Sequence, residues 1–179
     1  MTEATADARP LAAWQVRLDR TATRIEWLLD AALVLMLTVL VVSLIWQVFG
    51  RYVLDKAPAW SEELARYLMV WITMLGSAVV MRENGHIGVT FVLDLLSPGA
   101  RKIVLVVRDL IVLAVAYVLV TSGLQLTELL SGQLSAAFEV SMAIPYGALP
   151  VGGLLIAVMV VVARLTRSRY ARGLSTPIG

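Results

Sequence analysis

Four long apolar runs constrain this chain more than any short motif that it carries. The stretch from Ala31 to Gly50 contains no charged residue, and at about 1.5 Å per residue it forms about 30 Å of helix, enough to cross a bilayer. Hydrophobic residues make up 59% of the 179 residues, which is too apolar for an ordinary soluble domain. The sequence therefore predicts an all-α integral membrane fold with four transmembrane helices, at about 28–49, from 58 or 61 to 81, 103–127 and 140–163.

Basic residues are distributed unevenly over the segments between these runs. Twelve of the 15 Lys and Arg residues lie in the N-terminal segment, in or beside the middle connection, and in the C-terminal tail; three lie at or near the first connection, and none lies between Glu128 and Glu139. Because loops rich in Lys and Arg stay in the cytoplasm, both termini and residues 82–102 are predicted to be cytoplasmic, with 51–60 and 128–139 outside. This basic excess reflects membrane topology and does not require a nucleic-acid partner.

We expect a single membrane domain over residues 1–179, with a cytoplasmic or interfacial segment at 1–27, the transmembrane region at 28–163 and a cytoplasmic tail at 164–179. Within residues 14–27, apolar side chains are interleaved with three arginines. This pattern predicts either an amphipathic helix in the headgroup region or a cytoplasmic extension of the first span, and it favours neither.

A further short helix is predicted between the second and third spans. Polar residues recur there at i, i+4, i+8 and i+11 and form one narrow stripe on an otherwise apolar helix: His86, Thr90, Asp94 and Ser97. The segment is too short to cross the membrane and too apolar for a free loop. We therefore expect an amphipathic helix at the interface or against another helix, ended by Pro98 and Gly99.

The fourth span carries helix-breaking and small residues in its first half. They are Pro145, Gly147, Pro150, Gly152 and Gly153. Proline in a transmembrane helix implies a kink, and glycine allows two helices to approach closely, so we expect an irregular helix packed tightly on its neighbours.

Ionisable residues are missing from the middle of every predicted span. A charge inside the bilayer costs about 2.5–3.5 kcal/mol on insertion scales and marks ion or substrate pathways when it occurs. The chain has no cysteine and a single histidine, His86, whereas a haem held by two histidines would need a second. It also lacks a Ser-His-Asp set and a Gly-rich phosphate loop. The sequence therefore predicts no enzyme activity, no cofactor and no metal site.

Charged residues cluster at the start of the second span, in the run from Trp60 to Tyr67. Glu62 and Arg66 are four residues apart and Glu63 and Arg66 are three apart, so both pairs meet on a helix surface. The two acids also lie where the helix dipole favours negative charge. One interpretation is a solvated helix start worth a few tenths of a kcal/mol. The other is a partly buried charge network that holds another helix or subunit.

The order of residues around this cluster resembles the small membrane subunit of tripartite ATP-independent periplasmic (TRAP) transporters, the DctQ-like family. The resemblance covers the whole chain and rests on a set of positions in the first connection, the second helix and the loop after it: Arg51, Tyr52, Trp60, Glu62, Glu63, Arg66, Tyr67, Trp71, Gly76, Arg82, His86 and Ile87. Family members often carry an acid where this chain has Thr90, which affects only a local contact.

The resemblance implies a secondary-transport complex in the bacterial inner membrane. A periplasmic binding protein would deliver an organic acid to a membrane pair, in which the large subunit carries the substrate and sodium sites. The chain itself would be a fixed scaffold that helps to dock the binding protein. Its implied subunit-interface or structural residues are Arg51, Trp60, Glu62, Glu63, Arg66, Trp71, Gly76, Arg82 and His86.

Two other classes of function compete with the scaffold interpretation. A self-contained small transporter or channel would need homo-oligomerisation and polar residues lining a pore, and a membrane enzyme would need a catalytic constellation. Co-purification with a large subunit would separate the scaffold from both.

Overall fold

A computed structural model describes residues 13–56, 58–82 and 97–166. Five helices follow one another in this part of the chain: α1 (Ala13–Val53), α2 (Ala59–Arg82), α3 (Pro98–Leu129), α4 (Ala143–Tyr146) and α5 (Ala148–Thr166). Four helical stretches are long and apolar enough to cross a membrane: Arg20–Val53, Ala59–Met81, Gly99–Leu129 and Ala143–Leu165. The predicted all-α fold with four transmembrane helices is therefore confirmed.

Helix α1 is much longer than a single crossing requires. Its 41 residues extend about 60 Å, twice the thickness of the hydrocarbon core. The backbone is helical without a break from Ala13 onward, so the basic segment is an extension of the first span and not a separate amphipathic helix.

The chain reverses sharply between α1 and α2. The carbonyl oxygen of Gly50 accepts hydrogen bonds from the backbone N–H groups of Leu54 (3.2 Å) and Lys56 (3.0 Å). A Cβ atom on Gly50 would lie 2.9 Å from the Lys56 carbonyl oxygen, so this close return of the chain requires glycine. The turn brings the start of α2 back against the end of α1.

Helix α3 begins five residues earlier than the predicted span. Ser97 caps its N-terminus, and Pro98 occupies the first turn, where its missing N–H would have no helical partner in any case. Pro98 thus begins α3. Residues 83–96 lie outside the described part of the chain, so the amphipathic helix proposed for them stays a prediction.

The fourth span is interrupted near its start, as its prolines predict. Helix α4 ends at Tyr146 and α5 begins at Ala148, with Gly147 between them. Pro150 has no N–H to donate to the carbonyl oxygen of Tyr146, which weakens the helix at this point. Residues 140–142, which were expected within the span, belong to the preceding connection, where the Met142 N–H bonds the Gln133 carbonyl oxygen at 2.9 Å.

Helix α5 packs between α2 and α3, and α1 packs mainly on α2. Small residues permit these close contacts, because a Cβ on Gly152 would lie 2.5 Å from the Met74 Cβ and one on Gly153 would lie 2.9 Å from the Leu119 Cβ. In the most apolar stretch of the α4–α5 span, 33% of the residues are buried. In the corresponding stretch of α1, only 6% are buried. The outer helices therefore keep broad apolar faces for lipid or for another membrane chain.

Candidate functional site

One end of the bundle holds both the turn after α1, at residues 54–56, and the 130–142 connection, and we call it the loop end. The opposite end, where α2 and α5 finish and α3 begins, is the tail end. Glu63 lies in the second turn of α2 at the loop end, and only 7% of it is exposed. Its carboxylate accepts a hydrogen bond from the Ala137 backbone N–H at 2.7 Å and another from the Tyr67 hydroxyl. Glu63 therefore fastens the 130–142 connection to α2.

The 130–142 connection has an ordered structure of its own. The Ser135 N–H donates to the Val140 carbonyl oxygen at 2.8 Å, and the Ser141 hydroxyl donates to the Ser131 carbonyl oxygen at 2.8 Å. Glu139 adopts a left-handed backbone conformation with φ of 53°, which tightens the reversal. The Ser135 side chain is buried next to Glu63 and Tyr67. These bonds hold a compact hairpin-like segment over the start of α2.

The two other charged residues of the predicted cluster behave differently from Glu63. Arg66 forms an ion pair with Glu62, with 3.6 Å between the Arg66 Nη2 and Glu62 Oε1 atoms, and 71% and 69% of the two side chains is exposed. Such exposed pairs contribute less than about 1 kcal/mol. The cluster thus divides, because the solvated interpretation fits Glu62 and Arg66 while the buried interpretation fits Glu63. The Glu63 carboxylate accepts its hydrogen bonds from the hairpin and from Tyr67, and not from Arg66.

The remaining predicted residues are spread along the bundle. Arg51 and Trp60 are exposed at the loop end, and Trp71 is partly buried further along α2. Gly76 faces α1, where a Cβ would contact a methyl group of Leu33 at an ordinary 4.0 Å. The other two predictions lie beyond what the structure describes: the side chain of Arg82, whose backbone ends α2, and all of His86. Among the predicted residues that the structure describes, Glu62, Glu63 and Arg66 come together.

A cavity of about 400 Å³ lies between α2 and residues 136–146. Its walls are largely apolar and include Ala59, Val70, Ala136, Ala137, Met142 and Pro145. Its polar groups belong to Glu62, Glu63, Arg66, Tyr67 and Tyr146. The cavity thus joins the exposed ion pair to the buried carboxylate in one concave surface.

A second buried carboxylate, Asp109, lies at the tail end and was not singled out from the sequence. It is 7% exposed and accepts hydrogen bonds from Nε (3.0 Å) and Nη2 (2.9 Å) of Arg108 and from Nε of Arg164. The contact with Arg164 joins α3 to α5. A signal for it exists in the sequence, because an acid early in the third span and an arginine late in the fourth lie at similar depth when the two helices are antiparallel.

Known proteins resemble this chain over most of its length. The sequence model of the family described as "Tripartite ATP-independent periplasmic transporters, DctQ component" matches residues 40–169. The sialic acid TRAP transporter small permease protein SiaQ of Vibrio cholerae is 30% identical over 123 residues, which cover 66% of this chain and 68% of that protein.

Two longer permease proteins contain a similar region. The isethionate TRAP transporter permease protein DctMQ of Oleidesulfovibrio alaskensis is 27% identical over 155 residues, 84% of this chain and 24% of that protein. The sialic acid TRAP transporter permease protein SiaT of Haemophilus influenzae is 30% identical over 112 residues, 63% of this chain and 18% of that protein. Since the family match covers well over half of the sequence, the chain belongs to the DctQ family, the small membrane component of tripartite ATP-independent periplasmic transporters.

Proposed function

We propose that this chain is the fixed scaffold of a TRAP-type secondary transporter in the bacterial inner membrane. It supports the large transport subunit, helps to dock the periplasmic substrate-binding protein, and catalyses no reaction of its own. The complex takes up an organic acid together with a coupling ion. The observation that carries this proposal is the family match over residues 40–169.

The two longer relatives support a close association with a large membrane subunit. In DctMQ and SiaT, the region similar to this chain is about a quarter or less of a single permease protein. In each of these proteins, the region similar to this chain and the rest of the permease are parts of one polypeptide, so they occur in a one-to-one ratio. We infer that this chain likewise works beside one large subunit. Sialic acid and isethionate, which the relatives' names give, are both organic acids, and they support the proposed substrate class.

The chemistry of the spans supports a scaffold that does not itself carry substrate. No Asp, Glu, Lys, Arg or His occurs in the sequence near the middle of a span, and the acids that are buried in the described residues, Glu26, Glu63 and Asp109, all lie towards the ends of their helices. Intramembrane charges normally mark ion and substrate pathways. The exposed apolar faces of α1 and α3 supply area for packing on another membrane chain.

We propose that the loop end faces the periplasm and that both termini lie in the cytoplasm. The whole chain forms one membrane domain in this arrangement. The support is the Lys and Arg skew, since the 128–139 connection has none of these residues and the tail-end segments have most of them. A reporter active only in the periplasm should work when fused after Ala57 or Gln133. Activity of the same reporter at the C-terminus would reverse the proposed orientation.

Reconstitution tests the scaffold proposal directly. The isolated chain in liposomes should take up no organic acid, whereas the chain with its large subunit and binding protein should support uptake driven by a sodium gradient. Exchanging in a small subunit from a transporter of different substrate should leave the substrate choice unchanged, because specificity follows the groups that bind substrate. Saturable uptake by the isolated chain would instead establish the alternative, a self-contained homo-oligomeric transporter or channel.

A further inference from the structure

The cavity at the loop end carries more negative than positive charge. Two acids, Glu62 and Glu63, and one base, Arg66, contribute to its lining, so its ionisable side chains sum to a charge of −1. The only ion pair among them, Glu62 with Arg66, is long and exposed and therefore weak. The Glu63 carboxylate accepts hydrogen bonds from the neutral Tyr67 hydroxyl and the neutral Ala137 N–H, which leave its negative charge in place. The cavity therefore suits a cation better than an anion.

The apolar walls also favour a particular kind of cation. Val70, Met142 and Pro145 line the inside, and the carboxylates lie toward the start of α2. Lysine and arginine combine an aliphatic stem that packs on such walls with a charged head that meets carboxylates. The rings of Tyr67 and Tyr146 add aromatic surface, which attracts cations to its faces.

The 130–142 hairpin supplies no cation for the cavity. Between Arg108 and Arg164 the sequence contains no Lys or Arg, and this stretch includes the whole 130–142 hairpin. The cavity also extends from Ala59 to Val70 along α2, within the stretch that is apolar and long enough to span a membrane. A neighbouring membrane chain can approach this stretch of α2 from the side.

We propose that this cavity receives one lysine or arginine side chain of the large membrane subunit, with its stem along the apolar walls and its cation at Glu62 and Glu63. This inference rests on the proposed function, because it requires a large subunit as partner. It assigns the loop end of α2 to the subunit interface and identifies the chemistry that recognises the partner there.

Binding between the two full-length subunits in lipid nanodiscs tests the proposal. The chain has no cysteine, so a single cysteine added at its C-terminus provides a unique site for a fluorophore. Glu62→Gln should weaken binding to the large subunit roughly tenfold, Glu62→Lys should weaken it further, and rising salt should affect the wild type more than either variant. Ala136→Trp, which places a large side chain at an exposed position of the cavity lining, should also weaken binding at least tenfold.

A matched control separates the cavity from general electrostatics. Glu128 is an exposed acid at the same end of the bundle but does not line the cavity, so Glu128→Lys should stay within about twofold of the wild type. Glu62 and Ala136 are both exposed, so their variants should keep the wild-type circular dichroism spectrum. With Glu62→Lys as background, one Lys→Glu or Arg→Glu change in the large subunit should restore binding.

Three results would overturn the inference. The first is wild-type affinity in both Glu62→Lys and Ala136→Trp. The second is weaker binding of the periplasmic binding protein with unchanged binding of the large subunit, which would give the cavity to a different partner. The third is a scan of the large subunit in which no charge reversal restores binding. A wild-type chain that fails to bind any large subunit would overturn the proposed function, and this inference with it.

Discussion

The two ends of the bundle each fix a pair of distant segments with a buried carboxylate, but they do so with opposite kinds of partner. At the loop end, Glu63 accepts hydrogen bonds from a tyrosine hydroxyl and a backbone N–H, both neutral. At the tail end, Asp109 accepts hydrogen bonds from two guanidinium groups, those of Arg108 and Arg164. Both carboxylates are 7% exposed, so burial alone does not distinguish them.

The difference in partners changes what each end tolerates. Removing the Asp109 carboxylate leaves two like charges close together at the edge of the apolar region, whereas removing the Glu63 carboxylate leaves only neutral donors without an acceptor. The tail end is thus held by charge balance and the loop end by hydrogen-bond satisfaction. The loop end also keeps a net negative charge available for another chain.

The largest effect is expected from Asp109→Ala. The change leaves Arg108 and Arg164 without their carboxylate, which should lower the free energy of unfolding by about 3 kcal/mol, at the lower end for a broken buried pair because both guanidiniums are partly exposed. Denaturant titration in detergent micelles measures this change. Asp30→Ala, which alters an exposed acid on α1, is the control and should change it by less than about 0.5 kcal/mol. Equal losses in both variants would remove the charge-balance explanation.

Glu63→Ala should have the next largest effect, a loss of about 2 kcal/mol in the free energy of unfolding. The change leaves the Tyr67 hydroxyl and the Ala137 N–H without an acceptor, and each unsatisfied buried group costs about 1–3 kcal/mol. Hydrogen exchange of the amides of residues 135–142, in the 130–142 hairpin, should accelerate, because that segment loses its attachment to α2.

The amide variants of the two acids sharpen the comparison between the ends. Glu63→Gln keeps an oxygen acceptor for one of the two neutral donors and should cost about 1 kcal/mol. Asp109→Asn keeps the shape but leaves both arginines uncompensated, so it should cost nearly as much as Asp109→Ala. If Glu63→Gln proved the more costly of the two amide variants, the division into a charge-balanced and a hydrogen-bonded end would be wrong.

Gly152→Ala tests the packing that connects the two ends and should cost about 1–2 kcal/mol. The new Cβ would lie 2.5 Å from the Cβ of Met74, so α5 and α2 have to move apart. Gly132→Ala is the matched control, because no atom lies within 4 Å of the added Cβ there. A similar unfolding free energy for the two variants would show that close approach of α2 and α5 contributes little.

The smallest effect on stability is expected from Arg66→Ala, less than about 0.5 kcal/mol. Its ion pair with Glu62 is mostly exposed and is screened by water and salt. The same denaturant titration, repeated at high salt, should give nearly equal values for the variant and the wild type. A loss above about 1.5 kcal/mol would mean that Arg66 takes part in the buried network at Glu63.

Sequence patterns predicted the local features of both ends but not the contacts that define them. The spacing of Glu62 and Arg66 predicts their ion pair, because residues four apart always meet on a helix. The contact of Glu63 with Ala137 joins positions 74 apart and depends on how the 130–142 hairpin folds over α2. Asp109 and Arg164 are 55 positions apart and meet only because α3 packs on α5.

The four spans, the irregular start of the fourth and the family of this protein can be predicted from the amino-acid sequence alone. These follow from the length of the apolar runs, from prolines that cannot donate a hydrogen bond, and from an ordered set of residues along the chain. The burial of Glu63 beside an exposed Glu62 depends on the tertiary structure, since α2 presents Glu63 to the hairpin and Glu62 to its surroundings. Burial of a helical side chain depends on what packs against its face, and no local pattern contains that information.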